Sequence, residues 1–343
     1  MTYLMVLGGL VLLFLGGEGL VRGSVSVARK LNISELVIGL TLVGFGTSVP
    51  ELVTSLRAIN SGAVGIAVGN VIGSNIANIL LVLGVAAVIH PIVTNPRALM
   101  RDTGVMILVT VLLCFMIWFD LFSRGAGIAL TVCLIGYIIF SLVADQKQPD
   151  EVAHMHAEEG ETVEANYGIG IGILIAIAGL ASVVYGAKLL VDGSVSIARD
   201  FGISETVIGL TIVAIGTSLP ELATSAIAAF RGKADVALGN IIGSNIFNIL
   251  GILGVTALVH PFSVRQPVSG DVAAGAMVQG ETVSLISVGD ISALILSVAL
   301  MVLFAITARR IGRWEGGILL LGYALYMGLT FNLIPVPALI SHG

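Results

Sequence analysis

The chain is built from long apolar runs separated by short polar segments. Ten of these runs are about 20 residues long, which is enough to cross a bilayer as a helix. They lie at 3–21, 36–56, 64–89, 103–119, 126–144, 168–191, 206–229, 234–259, 291–308 and 316–334. Because the runs are continuous and do not alternate with polar positions, they favour a helical bundle over a membrane barrel. The pattern predicts an all-α integral membrane protein with ten transmembrane helices.

The second half of the chain repeats the first. Shifted by 170 residues, the segment Ser34 to Pro91 matches Ser204 to Pro261 at 35 of 58 positions without a gap. Each copy holds five runs, an odd number, so the second copy must enter the membrane from the opposite side. We therefore predict two inverted five-helix repeats, an architecture common among secondary transporters. The predicted parts are 1–144, a linker at 145–167, and 168–343.

Composition narrows the possible function classes. Hydrophobic residues make up 57% of the chain and charged residues 11%, with a mean hydropathy of +1.06. Soluble proteins are about 25% charged. This difference excludes a water-soluble globular enzyme, and the net charge of −5 argues against a nucleic-acid binder.

Basic residues predict the orientation in the membrane. If the N-terminus is outside, 11 of the 16 Lys and Arg residues fall in inner loops, as the positive-inside rule favours. Both termini are then outside, and the linker 145–167, with seven acidic residues and one Lys, is cytoplasmic. We expect a multi-pass protein of the plasma membrane, the inner membrane of a bacterial or archaeal cell.

One polar motif interrupts both run 2 and run 7. It reads GTSVPE at 46–51 and GTSLPE at 216–221. Pro50 and Pro220 lack a backbone donor, so each predicts a broken helix with a freed carbonyl, that of Gly46 in the first copy. Exposed backbone at membrane depth is tolerated only beside a polar cavity. We predict that discontinuous helices 2 and 7 bring Glu51 and Glu221 to one depth.

Runs 3 and 8 each carry a polar stripe at helical spacing. The stripes are Asn70, Ser74 and Asn78, and Asn240, Ser244 and Asn248. Gly65, Gly69 and Gly73 share the same spacing and predict close approach of a neighbouring helix. Carboxylate, hydroxyl, amide and carbonyl oxygens, without His or thiolate, describe a site for a hard cation such as Ca²⁺ or Na⁺.

A structural interpretation stands beside this one. The proline motif can be a kink cushioned by Ser and Thr, and Asn70, Ser74 or Asn240 can equally serve as hydrogen bonds between helices. Glu51 and Glu221 do not fit that interpretation. An unpaired glutamate in an apolar region costs at least a few kcal/mol, and no Lys or Arg lies in the apolar parts of these runs. A bound cation is the simplest source of the missing positive charge.

Other charged residues are predicted to be structural. Glu18 with Arg22, and Lys188 with Asp192, are four residues apart and predict ion pairs within their own helices. Helix caps are predicted at Ser34 and Ser204. The sequence holds no Ser-His-Asp set, phosphate-binding loop or cofactor fingerprint, so we expect neither an enzyme nor a bound cofactor.

On these residues the chain resembles the prokaryotic sodium/calcium exchangers of the cation/calcium antiporter superfamily. The resemblance rests on the two proline motifs and on the GNxIGSN segments at 69–75 and 239–245, and it covers all ten runs. It implies extrusion of cytosolic Ca²⁺ in exchange for external Na⁺ by alternating access. The ligands it implies are Gly44, Thr47, Ser48, Glu51, Ser74, Asn78, Ala214, Thr217, Ser218, Glu221, Ser244 and Asn248. Asn248 stands where K⁺-dependent relatives carry Asp, so it resembles the K⁺-independent pattern.

Three rival functions stay open on the sequence. They are exchange of another ion pair such as Ca²⁺/H⁺, a cation channel, and a non-transporting scaffold. A single mirrored carboxylate pair argues against the repeated ring of a pore, and a scaffold leaves the two glutamates unexplained. We expect Ca²⁺, Na⁺ and the bilayer as partners, with no nucleic acid and no obligate protein partner. Runs 1 and 6 lack the proline motif and are the candidates for the moving elements.

Overall fold

The computed structural model describes residues 2–32, 44–93, 96–147, 166–230, 232, 234–267, 282–307 and 310–331. The first part of the predicted span 36–56, the cap at Ser34 and most of the linker 145–167 lie outside these ranges. The helices are α1 Thr2–Lys30, α2 Val49–Asn60, α3 Val64–Ala77, α4 Leu83–Ile89, α5 Pro96–Phe119, α6 Arg124–Lys147, α7 Ile169–Phe201, α8 Glu205–Ile208, α9 Ala214–Thr217, α10 Leu219–Phe230, α11 Ala234–Phe247, α12 Gly254–Val259, α13 Val288–Thr307 and α14 Arg313–Thr330.

Three π-helical turns and four short strands complete the elements of the described residues. The turns are π1 Asn78–Val82, π2 Gly209–Val213 and π3 Asn248–Leu253. The strands are β1 Ile92–Val93, β2 Arg265–Pro267, β3 Thr282–Ser284 and β4 Arg310–Ile311. They form two antiparallel pairs, β1 with β4 and β2 with β3. The protein is thus helical, and its strands only join loops at the ends of helices.

Seven helices of the described residues are long and apolar enough to cross a membrane, or eight if one bent pair counts as a single span. The seven are Thr2–Lys30, Val64–Ile89, Arg101–Phe119, Arg124–Val143, Ile169–Phe201, Ala237–Val259 and Val288–Thr307. The predicted span 316–334 is present as α14 but is not among them. These findings confirm a multi-pass helical membrane protein, and the full number of ten stays a prediction.

The predicted breaks occur at the proline motifs. Helices Glu205–Thr217 and Leu219–Phe230 meet at an angle of 45°, and Pro220 occupies the first turn after the break. In the first copy, residues 44–48 form turns and α2 begins at Val49, so that Pro50 again lies in the first turn. Proline is tolerated there because the first turn has no intrahelical acceptor for its missing N–H.

α1 and α7 run antiparallel and pack backbone against backbone through glycines. A Cβ on Gly9 would lie 2.8 Å from the carbonyl oxygen of Gly186, and one on Gly16 would lie 2.8 Å from that of Gly179. A Cβ on Gly23 would lie 2.6 Å from the carbonyl oxygen of Gly172. Small residues at such positions allow membrane helices to gain close van der Waals contact. The two longest helices therefore form one tightly joined pair.

The predicted close approach of α3 is confirmed. A Cβ on Gly69 would lie 2.7 Å from the carbonyl oxygen of Thr206, and one on Gly73 would lie 2.5 Å from that of Leu210. Both carbonyl groups belong to the helix that ends in the second proline motif. The contact thus presses the first repeat directly onto the broken helix of the second.

One of the two predicted local ion pairs is wrong. Glu18 and Arg22 do pair within α1, but Asp192 of α7 pairs with Arg57 of α2 at 3.3 Å. A residue on a neighbouring helix has displaced Lys188 as the partner, which spacing along one helix could not reveal. The predicted cap at Ser204 is confirmed, since its side chain accepts a hydrogen bond from the N–H of Val207 at 3.2 Å.

Candidate functional site

Two buried carboxylates lie at the centre of the candidate site. Glu51 is in the first turn of α2 and Glu221 in the first turn of α10, and both side chains are 0% exposed. The N-terminus of a helix favours negative charge because its N–H groups point outward along the dipole. Neither glutamate belongs to an ion pair that the structure describes. A negative charge on either glutamate would therefore be stabilised by dipoles and hydroxyls and not by a basic side chain of the described residues.

The two repeats exchange hydrogen bonds across this centre. We refer to residues 44–51 as the first motif and to residues 214–221 as the second motif. Ser48 donates to Glu221 Oε1 at 2.7 Å, and Ser218 donates to Glu51 Oε1 at 3.1 Å. The Oε2 atom of each glutamate is buried without a hydrogen-bond partner in the described part of the chain. Each repeat thus completes half of the other's site and leaves one carboxylate oxygen free.

The three π-helical turns lie at or next to three of the predicted ligand positions. Asn78 and Asn248 are the first residues of π1 and π3, and π2 ends immediately before Ala214. The N–H of Leu83 donates to the carbonyl of Asn78 five residues earlier, one residue further than in an α-helix. π-helical turns occur mostly as single insertions and often at functional sites.

Several further oxygens and amides are buried without a hydrogen bond from any described residue. They are the hydroxyls of Thr47 and Ser74 and both polar side-chain atoms of Asn78 and of Asn248. Leaving a polar group unpaired in a protein interior costs about 1–3 kcal/mol. Four side chains left in this way, together with two free carboxylate oxygens, indicate a space built for something that the polypeptide itself does not supply.

All twelve predicted ligand positions are buried. Hydrogen bonds connect the two glutamates with Ser48 and Ser218, and Ser244 with the carbonyl of Gly44 at 3.4 Å. Thr217 Oγ1 lies 3.4 Å from the carbonyl oxygen of Ala214 and has a nearer acceptor, Asn70 Oδ1, at 3.0 Å. The side-chain polar atoms of Ser74, Asn78 and Asn248 make no hydrogen bond within the described part of the chain. The predicted release of the Gly46 carbonyl is wrong, because it accepts from the N–H of Val49 at 3.3 Å.

A second layer of side chains supports the glutamates from behind. Asn70 donates to Ser55 at 3.0 Å and to the backbone carbonyl of Glu51 at 3.3 Å. Asn240 donates to Ser225 at 3.2 Å in the second repeat. The two serines were missed in the sequence, although each stands four residues after a motif glutamate and so one helical turn along the same face.

The donor chemistry suits a hard cation. The groups facing this centre are carboxylate, hydroxyl, amide and carbonyl oxygens, the ligands that Ca²⁺ takes in numbers of six to eight. Among the described residues no cluster of three or more His, Cys, Asp and Glu side chains occurs. Softer metals prefer imidazole and thiolate, so Ca²⁺ or Na⁺ fits these residues better than a transition metal.

Comparison with known proteins agrees with this chemistry. The model of the family described as sodium/calcium exchanger protein matches residues 1–143 and 171–332, which is most of both halves. CaxA of Alkalimonas amylolytica is 39% identical over 336 residues, covering 95% of this chain and 98% of that protein. The sodium/calcium exchanger MaX1 of Methanosarcina acetivorans is 34% identical over 366 residues, covering 96% of this chain and 98% of that one.

A solved structure is similar along the whole chain. It is a structure of the sodium-calcium exchanger NCX_Mj soaked with Na⁺ and Sr²⁺, and it shares 34% sequence identity with this chain. The match has a TM-score of 0.61 and covers 95% of this chain and 97% of the other. The similarity therefore extends over both halves and includes both motifs.

Proposed function

The chain belongs to the sodium/calcium exchanger family and is a membrane antiporter of Ca²⁺ and Na⁺, and we propose that both cations bind between its two proline motifs. The observation that carries this proposal is the reciprocal pair of Ser–Glu hydrogen bonds, which leaves one buried oxygen of each glutamate free. A cation between the two carboxylates would satisfy both oxygens at once. The other proposed ligands are the remaining ten positions that the family resemblance implied.

Charge balance accounts for obligatory exchange in this proposal. Glu51 and Glu221 together contribute about −2 when both are ionised, which one Ca²⁺ balances and three Na⁺ slightly exceed. An empty site with two buried charges is costly to close off from water, so the protein should reorient only when it is loaded. Exchange of three Na⁺ for one Ca²⁺ would move one net charge, worth about 2.3 kcal/mol per 100 mV.

The proposed membrane topology extends what the described residues support. It has ten transmembrane helices in two inverted repeats, 1–144 and 168–343, with both termini outside and the linker 145–167 in the cytoplasm. Under this topology the inward Na⁺ gradient drives Ca²⁺ out of the cell by alternating access. The charge distribution along the sequence supports this orientation, and the match of the family model to residues 1–143 and 171–332 supports the division into two halves.

Radiolabelled Ca²⁺ uptake into proteoliposomes tests the proposal. Vesicles loaded with Na⁺ and diluted into Na⁺-free buffer should accumulate Ca²⁺, and the uptake should vanish when the inside and outside Na⁺ concentrations are equal. Imposing a K⁺ gradient in place of the Na⁺ gradient is the matched control, and it should give no uptake because Na⁺ is the counter-ion in this proposal. Uptake that is indifferent to Na⁺ would overturn the assignment.

Two rival functions give different outcomes in the same vesicles. A Ca²⁺/H⁺ antiporter would accumulate Ca²⁺ when a pH gradient replaces the Na⁺ gradient. A cation channel would pass Ca²⁺ without any counter-ion and would equilibrate it with the membrane potential. The single pair of carboxylates favours an exchanger, because a selective pore is lined by rings of ligands.

A further inference from the structure

The two motifs differ in backbone conformation although their sequences nearly coincide. In the second motif the N–H of Ser218 donates to the carbonyl of Ala214 at 3.1 Å, which continues the helical pattern. In the first motif the N–H of Ser48 donates instead to Phe45 at 3.2 Å, and the chain forms turns from 44 to 48. The carbonyl of Gly44 is released and accepts from Ser244. One structure therefore holds two forms of the same motif.

A side-chain hydrogen bond accompanies the helical form. Thr217 of the second motif donates to Asn70 Oδ1 of the first repeat at 3.0 Å. The amide of Asn70 is held from its other side by Ser55 at 3.0 Å, and all three side chains are buried. Asn70 thus joins the support behind Glu51 to the threonine of the opposite motif.

The equivalent hydrogen bond, between Thr47 and Asn240, is not formed in the other half. Asn240 stands where the repeat places Asn70, and it keeps the equivalent contact with Ser225 at 3.2 Å. Its Oδ1 atom, however, is buried without a partner in the described part of the chain, and so is the hydroxyl of Thr47, the equivalent of Thr217. The two groups that would form the second bond are both present, buried and unpaired.

We propose that Asn70 and Asn240 are positioning residues that act alternately, each holding the threonine of the opposite motif in one of the two membrane-facing states. In the state of this structure Thr217 is held by Asn70, whereas Thr47 makes no hydrogen bond to Asn240. In the opposite state Thr47 is held by Asn240, and Thr217 is released. The inference rests on the proposed function, because it requires alternating access between two inverted repeats, and it adds that the two halves exchange their conformations.

This bond orients a hydroxyl as a cation ligand. A threonine hydroxyl has one proton and two lone pairs. When the proton of Thr217 points to Asn70, the lone pairs are left for a cation, whereas a proton directed into the site would repel it. The asparagines need not contact the ion, because their effect on it passes through the threonines.

The experiment compares Asn70→Leu with Asn240→Leu, which form a matched pair. Both variants lose a contact to a serine, and Asn70→Leu also loses the bond from Thr217 and the bond to the carbonyl of Glu51. Half-saturating Ca²⁺ for Na⁺-driven transport is measured from each membrane face, in inside-out and right-side-out vesicles. Apparent affinity scales with the fraction of protein in the binding-competent state. The ratio of the half-saturating Ca²⁺ concentrations at the two faces should change about fivefold in Asn70→Leu, as the loss of one buried hydrogen bond allows. In Asn240→Leu it should change by about the same factor in the opposite direction.

The double variant separates positioning from a structural role. With both asparagines replaced, each state has lost one bond, so the ratio should return close to that of the wild type. If single variants do not fold, Asn70→Ser and Asn240→Ser form a milder pair whose hydroxyl is too short to reach the threonine. Shifts in the same direction, or no shift, would overturn the inference while wild-type exchange stood. Wild-type protein without Na⁺-driven flux would instead overturn the proposed function.

Discussion

The central helices and the long helix pair of this protein are built differently. In the most apolar 18-residue stretches of Val64–Ile89 and of Ala237–Val259, 78% of the positions are buried, whereas in the corresponding stretches of α1 and α7 only 28% and 22% are. The central helices carry the polar stripes and the π-helical turns. α1 and α7 carry none of the proposed ligands and hold to each other through glycine backbone contacts.

The difference suggests that the central helices and the α1–α7 pair have different roles in transport. The polar groups of the proposed site are enclosed by the central helices. The α1–α7 pair crosses over both breaks, since a Cβ on Gly17 would lie 3.3 Å from Pro50 and 3.7 Å from Pro220. A pair that is joined internally and lightly packed elsewhere can slide as one body. That α1 and α7 are the moving elements stays a prediction, and four sets of variants test the comparison.

The largest effect is expected from the carboxylates. Glu51→Gln and Glu221→Gln should each lower Na⁺-driven Ca²⁺ flux about a hundredfold or more, because removing one member of a buried charged set costs roughly 3–5 kcal/mol. Flux in proteoliposomes measures this. Glu18→Gln is the control, since Glu18 is 42% exposed in α1 and should leave flux nearly unchanged. If Glu18→Gln lowered the Ca²⁺ flux as much as the other two variants, the loss would not be specific to the central helices.

A methyl group added where α3 contacts the broken helix of the second repeat should destabilise the whole fold. Gly73→Ala would bring Cβ to 2.5 Å from the carbonyl oxygen of Leu210 and 2.7 Å from Cβ of Ala214. Overpacking of this kind costs about 1–3 kcal/mol, so the midpoint of thermal unfolding in detergent should fall. Gly104→Ala is matched to it, because no atom lies within 4 Å of the added Cβ. An unchanged midpoint for Gly73→Ala would show that the central helices are not rigidly packed.

The same change in the helix pair should act on transport more than on binding. Gly16→Ala would place Cβ 2.8 Å from the backbone of Gly179 and Val183, which forces α1 and α7 apart. With about 1 kcal/mol of overpacking, we expect flux to fall severalfold while Ca²⁺ affinity changes less than twofold. Gly8→Ala, with open space at its Cβ, is the control. A Ca²⁺ affinity that falls as far as the flux would contradict the separation of the pair from the site.

The smallest effect is expected from the ion pair that joins α7 to α2. Arg57 and Asp192 are 40% and 33% exposed, and partly exposed ion pairs contribute about 0–1 kcal/mol. Ile227 stands at the position equivalent to Arg57, so the mirrored half has no such pair. In a double-mutant cycle, Arg57→Gln and Asp192→Asn should show a small coupling that weakens with added salt. Coupling above 2 kcal/mol would instead indicate that this pair fixes the helix pair in place.

Much of the fold could be predicted because the bilayer imposes strong constraints on sequence. Apolar runs of fixed length located the helices, and the repeat located both breaks at Pro50 and Pro220. Glu51 and Glu221 were identifiable because a buried carboxylate without a basic partner is costly wherever it occurs. Their burial and their bonds to Ser218 and Ser48 agree with that reasoning.

The rest depends on tertiary contacts that no spacing encodes. Asp192 was predicted to pair with Lys188 four residues away, yet Arg57 from another helix takes that place. The π-helical turns at Asn78 and Asn248 leave no mark on hydrophobic periodicity, because nearly every position that follows these two residues is apolar. The missing hydrogen bond between Thr47 and Asn240 could not be foreseen either, since the two repeats carry the same residues at these positions.

The central claim is that Ca²⁺ and Na⁺ compete for the space between Glu51 and Glu221. Equilibrium binding of Ca²⁺ to the purified protein, titrated with Na⁺, tests it most directly because it needs no vesicle and no gradient. In the wild type, Na⁺ should displace bound Ca²⁺ completely, and in Glu51→Gln and Glu221→Gln the Na⁺-sensitive binding should disappear. Na⁺-sensitive Ca²⁺ binding that persists undiminished in both variants would contradict the account.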